Sequence, residues 1–70
     1  METEIKKIGK NVRRLRLKKG LTQLDLAVEC GMEYSNIARI EAGNTNPTVR
    51  TLLKIAKALG VSLSELVKIK

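Results

Sequence analysis

The side chains with the most specific chemistry lie close together in residues 34–39, Tyr-Ser-Asn-Ile-Ala-Arg. The guanidinium of Arg39 presents paired N–H donors that match the O6 and N7 acceptors of guanine, and the Ser35 hydroxyl both donates and accepts. Ile37 and Ile40 are three residues apart, so they share one face of a helix and leave the polar side chains on the other. Such a helix can present hydrogen-bonding groups to the edges of DNA bases.

Two short helices around Gly31 position these side chains. The first opens at Thr22, whose hydroxyl can cap the helix while Asp25 reaches back to the cap amide. Its apolar residues are Leu24, Leu26, Ala27 and Cys30. It stops at Gly31, which enters a left-handed turn without steric cost, and the second helix packs through Ile37 and Ile40. This arrangement is typical of the helix-turn-helix motif, whose second helix enters the major groove of DNA.

Apolar periodicity predicts three further helices. The first spans about residues 5–18, the fourth spans about residues 49–59 after the cap Thr48, and the fifth begins at a capping box in residues 62–65. Their apolar residues are Ile5, Ile8, Val12 and Leu15 in the first helix, Leu52, Leu53, Ile55, Ala56 and Leu59 on the buried face of the fourth, and Leu63, Leu66, Val67 and Ile69 in the fifth. We therefore expect a compact all-α fold, a single five-helix domain over residues 1–70 with the helix-turn-helix formed by helices 2 and 3.

Arg16 interrupts the pattern of the first helix, because it lies at the edge of the apolar stripe. An arginine in such a position is seldom left unpaired, so we expect a buried carboxylate partner. Glu41 is the best candidate, since it flanks Ile37 and Ile40 on the inner side of its own helix.

The composition argues against several classes of function. Cys30 is the one cysteine and the chain has no histidine, so neither an internal disulfide nor a zinc site is expected, and Cys30 is interpreted as a small buried side chain. No apolar run approaches about 18 residues and the N-terminus is charged, so we expect a cytoplasmic protein without a membrane span. No catalytic carboxylate pair, activated nucleophile or phosphate-binding glycine loop is evident, so we expect neither an enzyme nor a cofactor.

The net charge of +7 favours a polyanionic partner. Residues 1–20 hold eight basic and two acidic side chains, residues 21–48 hold one and four, and residues 49–70 hold five and one. If DNA is the partner, the basic flanks must therefore supply much of the attraction to phosphate. The alternative for the basic run in the first helix is an ordinary solvated helix face.

The segments TQLDLAVECGMEYSNIARIEAGNTNP and TLLKIAKALGVSLSEL resemble the phage-repressor-like (Xre/Cro type) helix-turn-helix family. The resemblance covers about residues 8–66, with the Thr22-Gln23 start, the Ile40-Glu41 pair, the Asn46-Pro47 loop and the Leu59-Gly60-Val61-Ser62 junction all in register. It implies a five-helix domain whose third helix contacts DNA bases, with Arg16 and Glu41 as a buried ion pair.

The resemblance also implies a set of DNA contacts. Its base-contacting positions fall on Tyr34, Ser35 and Arg39, and Ala38 leaves room for a thymine methyl. The expected phosphate contacts are Gln23, Asn36 and the loop residues Asn44, Thr45 and Asn46. Many relatives carry Lys or Arg in this loop, whereas here its side chains are neutral. The alternative sources of positive charge are Arg14, Lys18, Lys19 and Arg50.

Three of these assignments have alternatives. Tyr34 either contacts DNA or covers the surface of the domain, because a half-exposed tyrosine suits both roles. Arg39 is either a base contact or a solvated surface arginine. Glu33 is interpreted as structural, since a carboxylate at a helix start suits the helix dipole but would repel phosphate.

These observations predict a sequence-specific DNA-binding transcriptional regulator of the repressor type. Relatives bind as homodimers to near-palindromic operators, with the two helices that contact bases about 34 Å apart. In 70 residues we expect no separate oligomerisation or ligand-sensing domain. We therefore expect no small-molecule effector, and a dimer contact on helix 5 through Leu66, Val67 and Ile69. The alternative function is an antitoxin or another protein-binding module that shares the fold.

Overall fold

Serine and threonine side chains begin four of the five helices in the computed structural model, which describes residues 3–68. The helices are α1 (Glu4–Lys18), α2 (Gln23–Cys30), α3 (Tyr34–Ala42), α4 (Val49–Leu59) and α5 (Leu63–Leu66). The cap side chains of Thr3, Thr22, Thr48 and Ser62 each accept a hydrogen bond from the backbone N–H three residues on. These bonds satisfy amides that the first turn of a helix leaves unpaired. The predicted all-α fold of five helices is confirmed for the residues described.

Both ends of α2 form as the sequence predicts. The backbone N–H of Thr22 donates to Asp25 Oδ2 at 2.9 Å, and the N–H of Asp25 donates to Thr22 Oγ1 at 3.0 Å. At the other end of α2, Gly31 adopts φ 65° and ψ 33°, a left-handed conformation that glycine enters without steric cost. Both ends of α2 are therefore fixed by local sequence, and the start of α3 follows three residues after Gly31.

The core lies where the five helices meet. Its buried apolar residues are Val12, Leu15, Leu26, Ala27, Ile37, Ile40, Leu52, Ile55, Ala56, Leu59 and Leu66. Leu53 does not follow the prediction, because it is expected on the buried face of α4 but is 50% exposed. Leu24 in α2 is also largely exposed, at 58%. Each lies about 100° around its helix from the direction that the buried residues of that helix define, so it points away from the core.

Gly9 allows α1 to lie directly against the end of α3. A Cβ atom at this position would come within 2.7 Å of the backbone oxygen of Glu41, and closer still to that of Ile40. A similar approach occurs at Gly43, where a Cβ would come within 2.9 Å of the Cα of Lys6. The backbones of α1 and α3 therefore lie in direct contact, which brings Arg16 on α1 within reach of Glu41 on α3.

α5 is a single turn whose end is tied to α1. Asn11 Nδ2 donates to the carbonyl oxygen of Leu66 at 3.2 Å and to that of Lys68 at 2.7 Å, so both amide protons are used. Leu66 is 0% exposed; its expected place in a dimer contact is wrong, because a side chain buried in one chain has no surface left for a second. Val67 is partly buried and packs against the core, and Ile69 lies outside the described residues.

Candidate nucleic-acid interface

A buried ion pair connects α1 to α3, as the sequence predicts. Arg16 Nε donates to Glu41 Oε2 at 2.7 Å and Arg16 Nη2 donates to Oε1 at 3.0 Å, while Nη1 donates to the carbonyl oxygen of Leu21 at 2.7 Å. Arg16 is 6% exposed and Glu41 9%. The hydrogen bond to Glu41 raises the pKa of Arg16 above its ordinary value, against the opposing effect of burial. Arg16 therefore stays charged, and its bonds to Glu41 fix the inner side of α3.

Gln23 joins this pair from the start of α2. Its Nε2 donates to Glu41 Oε1 at 3.1 Å, so one carboxylate oxygen accepts from both Arg16 and Gln23. Three elements, α1, α2 and α3, thereby meet at one carboxylate. Gln23 is the first residue of α2, where the backbone N–H groups face outward and favour an anion.

The outward side of α3 carries the predicted base-contacting residues. Ser35 and Arg39 are exposed, Tyr34 is 52% exposed and Ala38 is partly buried. Arg39 Nε donates to the carbonyl oxygen of Ser35 at 3.4 Å, and Arg39 Nη2 donates to Asn36 Oδ1 at 3.3 Å. A guanidinium has five N–H donors, so these two bonds leave three for other acceptors.

Four of the five residues predicted to contact phosphate line two separate clefts. Asn36, Thr45 and Asn46 line one shallow cleft between α3 and the loop that follows it. Gln23 lines a separate groove together with Tyr34, the first residue of α3. Asn44 is exposed, but its backbone N–H donates to the carbonyl oxygen of Arg39 at 3.0 Å, so its side chain is the group that remains available.

The groove beside Gln23 contains side chains that the sequence did not assign to the site. Leu17 and Leu24, 54% and 58% exposed, line it together with Arg13. Arg13 adds a positive charge at this edge of α3. By residue type the two leucines are indistinguishable from buried ones, and their exposure follows from how α1 and α2 are oriented in the folded chain.

The start of α3 carries a negative charge. Glu33 occupies the N-cap position, and its side chain makes no capping hydrogen bond. It remains exposed, where a carboxylate interacts favourably with the positive end of the helix dipole. Glu33 therefore acts on α3 through its charge and not through a capping hydrogen bond.

Cys30 is the last residue of α2 and contacts α4. It is partly buried, its Sγ donates to the carbonyl oxygen of Lys54 at 3.8 Å, and burial raises the pKa of its thiol. Among residues 3–68, no group of three or more His, Cys, Asp or Glu side chains could hold a metal ion. Within the same residues, no helix has the length and apolarity needed to cross a bilayer.

Known proteins have a similar sequence and a similar architecture. A helix-turn-helix family model matches residues 12–66. An HTH-type transcriptional regulator of Sinorhizobium fredii, y4dJ, is 47% identical over 62 residues, which cover 89% of this chain and 80% of the relative. The restriction-modification controller protein C.AhdI from Aeromonas hydrophila superimposes with a TM-score of 0.87 and 37% identity over 89% of this chain and 94% of that one. The controller protein C.Esp1396I, solved as a tetramer in complex with its natural 35 base-pair operator, superimposes with a TM-score of 0.82 and 30% identity over 97% of this chain and 100% of that one.

The match extends over the helices that build the candidate interface. Several other related regulators are longer, and the chain spans 40%, 42% and 31% of the length of three of them. The family model nevertheless includes α2, α3 and the loop after α3, and also Arg16 and Glu41 of the buried pair. The predicted resemblance is confirmed: the chain belongs to the Xre-type helix-turn-helix family of transcriptional regulators.

Proposed function

We propose that this chain is a repressor that binds a near-palindromic DNA operator as a homodimer, with α3 in the major groove. The observation that carries the proposal is the exposed pair Ser35 and Arg39 on a helix whose inner side is fixed by the Arg16–Glu41 ion pair. A hydroxyl and a guanidinium held on a rigid helix can discriminate between base pairs, because their donors meet a distinct set of acceptors at each one.

The contacts divide into those that specify a sequence and those that position the protein. Base edges are contacted by Tyr34, Ser35, Ala38 and Arg39, the side chains on the outward side of α3. Backbone phosphates are contacted by Gln23, Asn44, Thr45 and Asn46, which border α3 at its start and along the following loop. Phosphate contacts fix the register of a protein on the duplex but carry little sequence information themselves.

Electrostatic attraction comes from outside the helix-turn-helix. Residues 21–48 hold one basic and four acidic side chains, whereas the two flanks together hold 13 basic and three acidic side chains. Arg13 lines the groove beside Gln23 and Tyr34, where it is suited to a phosphate next to the start of α3. Binding should therefore weaken steeply as the salt concentration rises, because phosphate contacts release condensed counterions.

A homodimer would increase the number of bases that a domain of this size can contact. A two-fold axis places two α3 helices in major-groove faces about 34 Å apart, which doubles the contacted bases. Val67, partly exposed at the end of α5, is the described residue that we assign to the dimer contact. The tetramer of C.Esp1396I on its operator is an assembly of a relative on DNA and is consistent with this arrangement. Occupancy of the operator would repress by excluding other proteins from the same DNA.

Selection of bound fragments from random duplex DNA tests the proposal. We expect enrichment of one sequence with two half-sites related by a dyad, and sedimentation should give two chains per duplex on it. No enrichment would contradict sequence-specific binding, and a monomer both free and bound would contradict the homodimer. Transcription in vitro from a promoter that contains the selected site should fall when the protein is added; a rise would contradict the repressor assignment.

One observation favours a second candidate function, the binding of another protein. Leu17, Leu24 and Val28 are 54%, 58% and 73% exposed on α1 and α2, and exposed apolar side chains are common at protein interfaces. Co-expression with the products of neighbouring genes would test it. A stable complex that prevents binding to the selected DNA site supports an antitoxin-like role, and the absence of any complex opposes it.

A further inference from the structure

We propose that Asn36 is a positioning residue that determines which edge of the Arg39 guanidinium faces DNA. The inference rests on the proposed function, because it requires Arg39 to contact a base. It gives Asn36 a role different from the phosphate contact that the family resemblance implies.

The geometry of α3 supports this role. Asn36 and Arg39 are three residues apart, so their side chains are neighbours on the helix surface. Asn36 Oδ1 accepts from Arg39 Nη2 at 3.3 Å, and the carbonyl oxygen of Ser35, one turn earlier, accepts from Arg39 Nε at 3.4 Å. The two donor nitrogens, Nε and Nη2, form one edge of the guanidinium, and Nη1 takes part in neither bond. The side chain is therefore held along its own helix.

This arrangement leaves the opposite edge of the guanidinium for a ligand. One N–H of Nη1 and the second N–H of Nη2 lie side by side there, and such a pair can donate to guanine O6 and N7 together. An exposed arginine otherwise loses much rotamer freedom when it is fixed against a base. A guanidinium already oriented by Asn36 loses less rotamer freedom, so binding to the correct base pair has a lower entropic cost. This lower cost applies where the free edge meets guanine and not to DNA in general.

The atom that Arg39 uses distinguishes this role from a phosphate contact. Asn36 Oδ1 is an acceptor, and so are the phosphate oxygens, so Oδ1 cannot bind phosphate. A phosphate contact would use the Nδ2 donors instead. Asn36→Asp keeps an oxygen acceptor and removes the donors, whereas Asn36→Ala removes both. The two substitutions therefore separate the two roles.

The experiment measures equilibrium affinity for three duplexes: the selected site, the same site with the guanine opposite Arg39 replaced, and a random duplex. The ratio of the first two affinities is the discrimination. We expect Asn36→Ala to lower the discrimination about threefold or more, the effect of losing one hydrogen bond, while affinity for random DNA changes less than about twofold. Asn36→Asp should retain the discrimination, although its added negative charge weakens binding to every duplex. Thermal melting checks that each variant is folded. We expect Asn36→Ala to fold because alanine favours a helix more than asparagine does.

Asn44→Ala is the matched control, since Asn44 is an exposed asparagine in the loop after α3. It should weaken binding to all three duplexes without changing the discrimination. If both Asn36 substitutions behave as Asn44→Ala does, Asn36 is a phosphate contact and the positioning role is wrong. Arg39→Ala separates this failure from that of the proposed function: if it leaves the discrimination intact, Arg39 does not read a base and both assignments are wrong.

Discussion

Arg16 and Arg39 use the same functional group in opposite ways. Each donates from Nε and Nη2 to oxygen acceptors, but Arg16 is 6% exposed and its bonds to Glu41 are 2.7 and 3.0 Å long, whereas Arg39 is exposed and its bonds are 3.4 and 3.3 Å long. Arg16 also donates from Nη1 to the carbonyl oxygen of Leu21. The buried guanidinium thus has its charge and three of its nitrogens satisfied within the chain, and the exposed one retains donors for DNA.

The contrast shows what fixes an interaction helix and what it presents. A buried charge must be paired, since removing its partner leaves an ionised group without water or a counter-charge. An exposed charge is solvated, so it contributes little to folding and remains available for binding. α3 carries one buried charge, Glu41 on its inner side, and one exposed charge, Arg39 on its outer side. Stability and specificity can therefore be changed separately.

Removing the buried partner should have the largest effect on stability. Glu41→Ala leaves Arg16 ionised and unpaired in the interior, and we expect the free energy of unfolding to fall by about 3–5 kcal/mol. Denaturant titration followed by circular dichroism measures this loss. Glu29→Ala, at an exposed position of α2, is the control and should change stability by no more than about 0.5 kcal/mol. An unchanged midpoint for Glu41→Ala would show that the pair does not fix α3.

Moving α1 away from α3 should disturb the same pair without touching either charge. Gly9→Ala places a Cβ where the backbone oxygens of Ile40 and Glu41 lie, and neither oxygen can rotate away. We expect a loss of about 1–3 kcal/mol, the usual cost of overpacking a close helix contact. Equilibrium unfolding by urea measures it. Wild-type stability in this variant would mean that the close approach at Gly9 does not govern the distance between the two helices.

Removing the exposed arginine should leave stability unchanged and lower affinity for the operator. We expect Arg39→Ala to lose about 1–3 kcal/mol of binding free energy at the selected site and no more than about 0.5 kcal/mol of folding free energy. Fluorescence anisotropy with labelled duplex and a melting curve measure the two quantities. Arg14→Ala, also exposed, is the control and should weaken binding to all sequences alike. A marked loss of stability in Arg39→Ala would contradict the division between the two arginines.

The smallest effect should come from the exposed cap of α2. The backbone N–H of Thr22 donates to the Asp25 carboxylate and holds the pKa of Asp25 below its ordinary value of 3.8. The cap therefore stabilises the folded chain fully above pH 3.8 and loses this contribution as the pH falls through the lowered pKa. Melting temperatures measured across this range should decline less in Asp25→Ala than in the wild type. Parallel curves for the two proteins would show that the cap does not titrate.

Much of the fold could be predicted from the sequence because its signals are local. Caps such as Thr22 and Thr48, the turn at Gly31 and the apolar periodicity each act within a few residues. The Arg16–Glu41 pair was also predictable, since an arginine beside an apolar stripe requires a partner and Glu41 flanks the inner side of its helix. These features need no knowledge of how distant helices meet.

Features that depend on how the helices pack against one another could not be predicted from the sequence. Gly9 is unremarkable in sequence, and only the position of α3 makes it necessary. Asn11 resembles any surface asparagine until α5 brings two carbonyl oxygens within reach. The same limit explains Leu66, which the sequence assigns to a dimer contact because the apolar residues of α5 cannot be divided between core and surface without the fold. At the candidate interface, the residues of α3 followed from its periodicity, whereas the groove with Leu17 and Arg13 did not.

A thermodynamic cycle between Arg39 and its base pair shows whether this arginine distinguishes one base from another. The affinities of wild type and Arg39→Ala are measured on the selected operator and on the operator with the guanine pair replaced. If the free edge of Arg39 reads this guanine, the two changes should be coupled by about 1–3 kcal/mol, because either one alone removes the same interaction. Additive changes would contradict the claim, since they would mean that Arg39 attracts DNA without distinguishing its bases.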